Sequence, residues 1–184
     1  SEPITNGQFS RLASSFKRIV PPADSPTPAA QRQTMAAGPD WPMYRGDGQR
    51  SASSTTTVPD ALPLVWRTAA GSNATPVTIA GGRVFAALPD THEVIALDEQ
   101  TGTACWSFAA GGPVDTPPAY SDGRVVFGAA DGRVYCLDAT DGSLAWQFNA
   151  APMARQIVVN GHLESAWPVH GAVLVQNGLA FVAA

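Results

Sequence analysis

From residue 40 onward, short apolar runs alternate with turn-forming residues, a pattern that is typical of β-strands joined by tight turns. The first series of runs occupies residues 75–79, 83–88, 93–98 and 103–108. Connections of only a few residues favour antiparallel pairing of neighbouring strands. The pattern therefore predicts a unit of four antiparallel strands over residues 75–108.

This unit is repeated along the chain. A second copy spans residues 116–148, at an offset of 41 residues that falls to 40 after a hairpin loop one residue shorter. The first two strands of a third copy fill residues 172–184, and Trp66, Trp106 and Trp146 are 40 residues apart. A change of length confined to a loop is what a structural repeat tolerates. The sequence thus predicts two whole units between the last strand of one neighbour and the first half of another.

A single four-stranded sheet of this size cannot bury both of its faces. Packing such sheets radially covers the faces, and this arrangement is a β-propeller. The predicted fold class is therefore all-β, a β-propeller of four-stranded antiparallel blades. Propellers hold about four to eight blades, so we expect the propeller to be incomplete in this chain. The missing blades would come from the rest of a longer chain or from an oligomer.

The most regular positions of the repeat are predicted to have structural roles. Its glycines are expected in tight turns that require positive φ, and its aspartates are expected to accept hydrogen bonds from the backbone N–H groups of those turns. Its tryptophans are expected to bring large apolar surfaces to the interface between blades. These residues are Trp66, Asp98, Gly102, Trp106, Asp138, Gly142 and Trp146.

The first 39 residues differ from the repeat region. Apolar residues recur at helical spacing between Phe9 and Val20, and residues 21–38 are rich in Pro and Ala. We interpret 1–39 as a flexible N-terminal segment with a short amphipathic helix and a linker, and 40–184 as a partial propeller domain.

Composition and charge exclude some classes of function. The formal net charge of -4 gives no support to nucleic-acid binding, and no apolar run approaches the roughly 20 residues that a membrane helix needs. The only two cysteines, Cys105 and Cys136, are too few for a metal cluster or a dense disulfide framework. We expect both to be buried thiols that pack as small apolar residues.

Two motifs carry a resemblance to a known family. The pattern A-x-D-x-x-T-G-x-x-x-W over residues 96–106 resembles the tryptophan-docking motif of the PQQ-binding-like β-propeller repeat family. The second copy departs from it with Cys136 for Ala and Asp141 for Thr. Residues 40–47 (DWPMYRGD) are similar to the start of many such propellers, and residues 163–170 (LESAWPVH) resemble long secreted members from planctomycete-type bacteria.

The resemblance implies an envelope protein of one of two kinds. The family includes quinoprotein alcohol dehydrogenases and the propeller lipoprotein of the bacterial outer-membrane assembly machine, so a periplasmic, secreted or envelope location is expected. The dehydrogenases use a vicinal Cys-Cys disulfide beside the quinone, and Glu, Asn and Asp around a calcium ion. This sequence contains no Cys-Cys pair and no CxxCH haem site.

The favoured hypothesis is a non-catalytic scaffold that binds a protein or polymer on the propeller rim. The alternative is part of a PQQ-dependent dehydrogenase, with PQQ and calcium as cofactors under that interpretation alone.

The regular spacing of the repeat is interrupted between Phe148 and Gly171, where about 15 residues are inserted. We interpret the insertion as a long loop. The alternating strand order predicts that it shares one rim with the hairpin loops at 89–92 and 130–132, and propeller ligands commonly sit on such a rim near the central channel. Extra loop length on a rigid scaffold is where binding residues concentrate. The insertion is therefore the predicted binding site.

The candidate side chains of this site are charged, polar or aromatic. Arg155 could pair with an anionic group, and Trp167 could stack on a planar ligand or simply pack the loop onto a blade. The histidines and the glutamate lack compact ligand spacing, so no metal site is predicted, and no catalytic residue can be named. The candidates are Arg155, Asn160, His162, Glu164, Trp167 and His170, together with Asn73 and Asp115 near the entrances to successive inner strands.

Overall fold

The computed structural model describes residues 40–57, 60, 64–71, 73–159 and 161–184. The predicted helix and linker of residues 1–39 lie outside this set, as does Asn160. The described residues form twelve β-strands. Within them, no helix is long and apolar enough to span a membrane.

The first complete blade follows the predicted series of runs. Its strands pair in the order β1-β2-β3-β4, each antiparallel to the next. Regular pairing of the first strand begins after Pro76, which has no N–H to donate to a ladder. The strands are β1 (Thr78–Ala80), β2 (Arg83–Leu88), β3 (Glu93–Asp98) and β4 (Ala104–Ala109).

The second blade has the same topology and the same register. Ala96 lies opposite Trp106 in the first blade and Cys136 lies opposite Trp146 in the second, and the register shifts directly after each pair. Even the irregularity in strand pairing is therefore repeated at the same position of both blades. The predicted class of four-stranded antiparallel propeller blades is confirmed. The strands are β5 (Ala119–Ser121), β6 (Arg124–Gly128), β7 (Arg133–Asp138) and β8 (Leu144–Asn149).

The insertion contains a hairpin, so its interpretation as a plain loop was wrong. Strands β9 (Gln156–Val159) and β10 (His162–Ser165) pair antiparallel and form a two-stranded sheet of their own. The third unit then begins with β11 (Leu174–Gln176) and β12 (Leu179–Phe181). The β-branched run before an Asn-Gly pair, at residues 157–161, is a hairpin signal that could have revealed β9 and β10.

The core lies between the units rather than within one sheet. Phe85 and Val94 of the first blade belong to one buried cluster with Val125, Phe127 and Leu137 of the second. A second buried cluster joins the second blade to the third unit and is formed mainly by Val126, Val134, Cys136, Val169, Val173 and Ala180. Each interior blade face is thus covered by its neighbour, as radial packing of sheets requires.

The two cysteines lie in different environments, and the expectation that both are buried was wrong for one of them. Cys105 is exposed because it lies on β4, the outermost strand of its blade, whereas Cys136 lies buried on β7. Both are free thiols. Burial raises the pKa of the Cys136 thiol to about 11, since the charged thiolate is disfavoured away from water.

Candidate functional site

The repeated tryptophans lock each unit to the next. The indole N–H of Trp66 donates to the carbonyl of Glu99 at 2.8 Å, and that of Trp106 donates to the carbonyl of Ala139 at 3.0 Å. The rings lie so close to the turn glycines that a Cβ on Gly142 would stand 2.6 Å from Cδ2 of Trp106. These indoles are engaged between blades, where they cover protein rather than a ligand.

The rim that carries the insertion is defined by contacts between loops. The Ala110 N–H donates to the His92 carbonyl at 2.8 Å, and the Ala150 N–H donates to the Gly132 carbonyl at 2.9 Å. The connections between units therefore lie beside the hairpin loops, at one end of the strands. The turns that hold Gly102 and Gly142 lie at the opposite end.

The hairpin β9–β10 is rooted on this rim by backbone hydrogen bonds. The N–H groups of Ser165 and Val169 donate to the carbonyls of Ala130 and Ala129, at 2.8 and 3.1 Å. Both acceptors belong to the loop that joins β6 to β7 in the second blade. The base of the hairpin is therefore fixed to a blade that is itself packed on both faces.

The outer face of the hairpin is apolar and exposed. Val158 and Leu163 lie directly opposite each other in the ladder, so their side chains share one face. Val158 is 71% exposed and Leu163 is 61% exposed, and Met153, which precedes the hairpin in the insertion, is exposed as well. Clustered apolar side chains on a surface mark interaction sites more often than single ones do.

The inner face of the hairpin brings together three of the predicted site residues. The Nδ1 atom of His170 lies 2.7 Å from Oδ2 of Asp115, and its Nε2 atom lies 3.7 Å from Oε2 of Glu164. Glu164 is 8% exposed, although it neighbours the outward-facing Leu163. The imidazole thus joins the hairpin to the connection between the two blades. Among the described residues, no group of three or more His, Cys, Asp or Glu side chains has an arrangement that could hold a metal ion.

The remaining predicted residues are distributed around the rim. The ring of His162 lies 6.0 Å from that of His92, edge to face. Trp167 is half-buried, and Arg155 is exposed. Asn73 lies on the first blade, where its side-chain amide approaches the Asp90 carboxylate at 3.4 Å, and it does not join the cluster around His170.

One polar network of the rim was not predicted. The hydroxyl of Tyr135 donates to Oδ2 of Asp131 at 2.5 Å and accepts the backbone N–H of Gly111 at 3.1 Å. Burial and the neighbouring carboxylate raise the pKa of Tyr135. The network ties the connection between the blades to the hairpin loop of the second blade. The only signal in the sequence was the pair of an aspartate and a tyrosine around that loop.

A segment before the first blade lies along the inner strands. Trp41 and Ile79 exchange two backbone hydrogen bonds, at 2.6 and 3.0 Å, and the Tyr120 N–H donates to the Pro42 carbonyl at 2.6 Å. The same segment therefore contacts the first strand of both complete blades.

Comparison with known proteins agrees with this architecture. The family model described as outer membrane protein assembly factor BamB, a model of PQQ-type repeats, matches residues 62–183. The chain belongs to this PQQ-repeat propeller family.

Relatives within the family are of two kinds. The chain is 33% identical over 136 residues to the dehydrogenase subunit of a quinone-type alcohol dehydrogenase from Gluconobacter oxydans (strain 621H), covering 66% of this chain and 17% of that protein. It is 30% identical over 73 residues to the outer membrane protein assembly factor BamB of Moranella endobia (strain PCIT), covering 40% of this chain and 19% of that protein. This PQQ-repeat chain thus spans less than a fifth of either relative.

Solved structures agree on the fold. The quinohemoprotein alcohol dehydrogenase from Comamonas testosteroni superposes with a TM-score of 0.60 at 23% identity, over 78% of this chain and 23% of that one. At this level of identity the likeness concerns the propeller fold alone.

The described residues do not fit a quinone and calcium site of the kind that the family resemblance implies. Cys105 is exposed on an outer strand and Cys136 is buried on β7 of the next blade, so they cannot form a vicinal disulfide. No suitable set of carboxylate ligands for a cation is assembled in the described ranges.

Proposed function

We propose that this chain is part of a non-catalytic propeller of the bacterial envelope that binds an extended polypeptide on its rim. The observation that carries the proposal is the outward, apolar pair of Val158 and Leu163 on a hairpin rooted to the second blade. Apolar anchors on a fixed support retain more binding energy than mobile ones, because less conformational freedom is lost on association.

The partner class follows from the form of the surface. Within the described part of the chain, β9 and β10 pair with each other and with no further strand. An unpaired strand edge can bind an extended segment through backbone hydrogen bonds, while alternate side chains give selectivity. A peptide with alternating apolar and polar residues would place its apolar side chains beside Val158 and Leu163. One kind of relative is named for the assembly of outer membrane proteins, and this supports a polypeptide partner and a periplasmic or secreted location.

A direct test uses the full-length protein and two labelled synthetic peptides of equal composition. One peptide alternates Val and Ser residues, and the other groups all its Val residues in one block. Fluorescence anisotropy is expected to give tighter binding of the alternating peptide. Replacing two central apolar contacts, with Val158→Ser and Leu163→Ser together, is expected to weaken that binding by about 10-fold or more.

The matched control is Leu144→Ser, which removes an apolar side chain of 47% exposure from the outer strand β8. This control should bind the alternating peptide as the wild type does. Equal affinity for the two peptides, or equal loss in the control and in the double variant, would contradict the proposal.

The alternative function is that of a quinone-dependent alcohol dehydrogenase, and the relative from Gluconobacter oxydans favours it. Its test is separate from peptide binding. The full-length protein is incubated with PQQ and calcium, and bound-quinone absorbance and dye-linked alcohol oxidation are measured. A stoichiometric signal in both measurements would replace the scaffold proposal.

A further inference from the structure

The first strands of consecutive units lie side by side. β1 contacts β5, and β5 contacts β11. Each is the first strand of its unit, and in both complete blades it lies at one edge of the sheet, where the second strand is its only neighbour among the strands of the blade. In a radial array of sheets, the edges that converge in this way face the propeller axis. The free edges of these three strands are therefore the axial edges of the molecule.

Residues 41–52, here called the axial segment, contact all three units on this side. Trp41 pairs with Ile79 of β1, and Pro42 accepts a hydrogen bond from Tyr120 of β5. The contact continues to the third unit through the Arg50 guanidinium, which donates to the Ala172 carbonyl at 3.1 Å.

Apolar and local contacts hold the axial segment in one conformation. Met43 packs against the buried cluster between the second blade and the third unit. Arg45, Arg50 and Ala52 adopt positive φ angles of 62°, 56° and 53°. Residues other than glycine rarely adopt this left-handed backbone conformation. It costs of order 1–3 kcal/mol for each residue, and it persists where neighbouring contacts enforce it. The Ala52 N–H donates to the Arg45 carbonyl at 3.0 Å, which closes the segment into a loop.

We infer that the axial segment is a built-in strap that closes the channel side of these units, so that planar ligands are excluded from this part of the axis. The N–H and carbonyl of Ile79 and the N–H of Tyr120, which lie on the axial edges, are paired with the segment. The inference agrees with the poor fit of the described residues to a quinone site, and it does not depend on the proposed binding of a peptide at the rim.

The position of the strap is tested by disulfide trapping in the full-length protein carrying Cys105→Ser. Trp41 and Ile79 exchange both backbone hydrogen bonds, and such pairs have Cα atoms about 5.5 Å apart, within reach of a disulfide. Trp41→Cys with Ile79→Cys is therefore expected to cross-link under mild oxidation, as judged by peptide mass spectrometry. The control, Trp41→Cys with Val77→Cys, shifts the partner by two residues, beyond the ~7 Å limit.

A second pair, Pro42→Cys with Tyr120→Cys, reports the contact with the second blade if the first variant fails to fold. Cross-linking in neither pair, or equal cross-linking in the control, would overturn the strap.

The closure itself is tested by equilibrium dialysis of PQQ with calcium against the wild type and the oxidised, cross-linked protein. We expect no saturable uptake by either. Stoichiometric uptake by the wild type, whether or not cross-linking abolishes it, would overturn the exclusion.

Discussion

At the scale of single residues, the interlocking of blades depends on turns shaped to receive an indole. The Asp98 carboxylate accepts hydrogen bonds from the backbone N–H groups of Gln100 and Thr101 at 3.1 and 2.8 Å. Hydrogen bonds from the Thr101 hydroxyl and backbone lower the pKa of Asp98, because they favour its ionised form. Trp66 then packs over Gly102 in the same turn. A change in such a turn therefore affects two blades at once.

This fit predicts unequal effects of the same substitution at two turn glycines. Gly123 and Gly142 both have φ of +74°, but a Cβ meets nothing within 4 Å at Gly123 and meets Trp106 at Gly142. Gly123→Ala should lower the free energy of unfolding by about 1 kcal/mol through backbone strain alone. Gly142→Ala should lower it by about 2–4 kcal/mol, because the ring must also move. Urea unfolding of the full-length variants measures the difference, and equal losses would contradict the docking role of Trp106.

At the scale of elements, the hairpin β9–β10 depends on its attachments. A two-stranded hairpin is marginal in water without further packing. Here backbone bonds fix its base to the second blade, and His170 connects Glu164 on its inner face with Asp115 on the connection between blades. The exposed pair of Val158 and Leu163 keeps its orientation only while these attachments hold.

Removing the histidine should therefore loosen the hairpin without unfolding the blades. We expect His170→Ala to raise hydrogen-exchange rates in residues 156–165 by about 10-fold, since one hydrogen bond to a charged partner contributes about 1.5 kcal/mol. Exchange in β7 should be unchanged. Asn73→Ala removes a polar rim contact from the first blade and serves as the matched control. Unchanged exchange in the hairpin of His170→Ala would refute the role of this histidine as an attachment.

At the scale of the whole molecule, the repeated strands were predicted from the sequence, whereas the hairpin that occurs in one copy was not. The bounds of β2 and β3 were predicted to the residue because the same alternation and turns return in the next blade. The hairpin β9–β10 has no second copy, so its Asn-Gly turn was overlooked once the offset had broken. The approach of His170 to Asp115, 55 residues earlier, depends on the path of the inserted chain in space. No local pattern encodes such a contact.

Alkaline pH should lower the free energy of unfolding of the protein through Cys136. This residue occupies the position in the second blade that Ala96 occupies in the first. Burial raises its pKa from 9.0 to about 11. Between these values the unfolded chain loses the thiol proton while the folded protein keeps it, so the free energy of unfolding falls as pH rises through this window.

Urea unfolding of the full-length protein at about pH 8 and about pH 10.5 measures this decline. Cys136→Ala should be less stable than the wild type at the lower pH, because it leaves a small cavity, and should lose less stability on going to the higher pH. Tyr135, whose pKa is also raised by burial, should account for part of the decline that remains. Cys105→Ala, altered at the exposed thiol, should keep the decline of the wild type. An identical decline in Cys136→Ala would show that this thiol is not a source of the decline, and it would contradict the prediction.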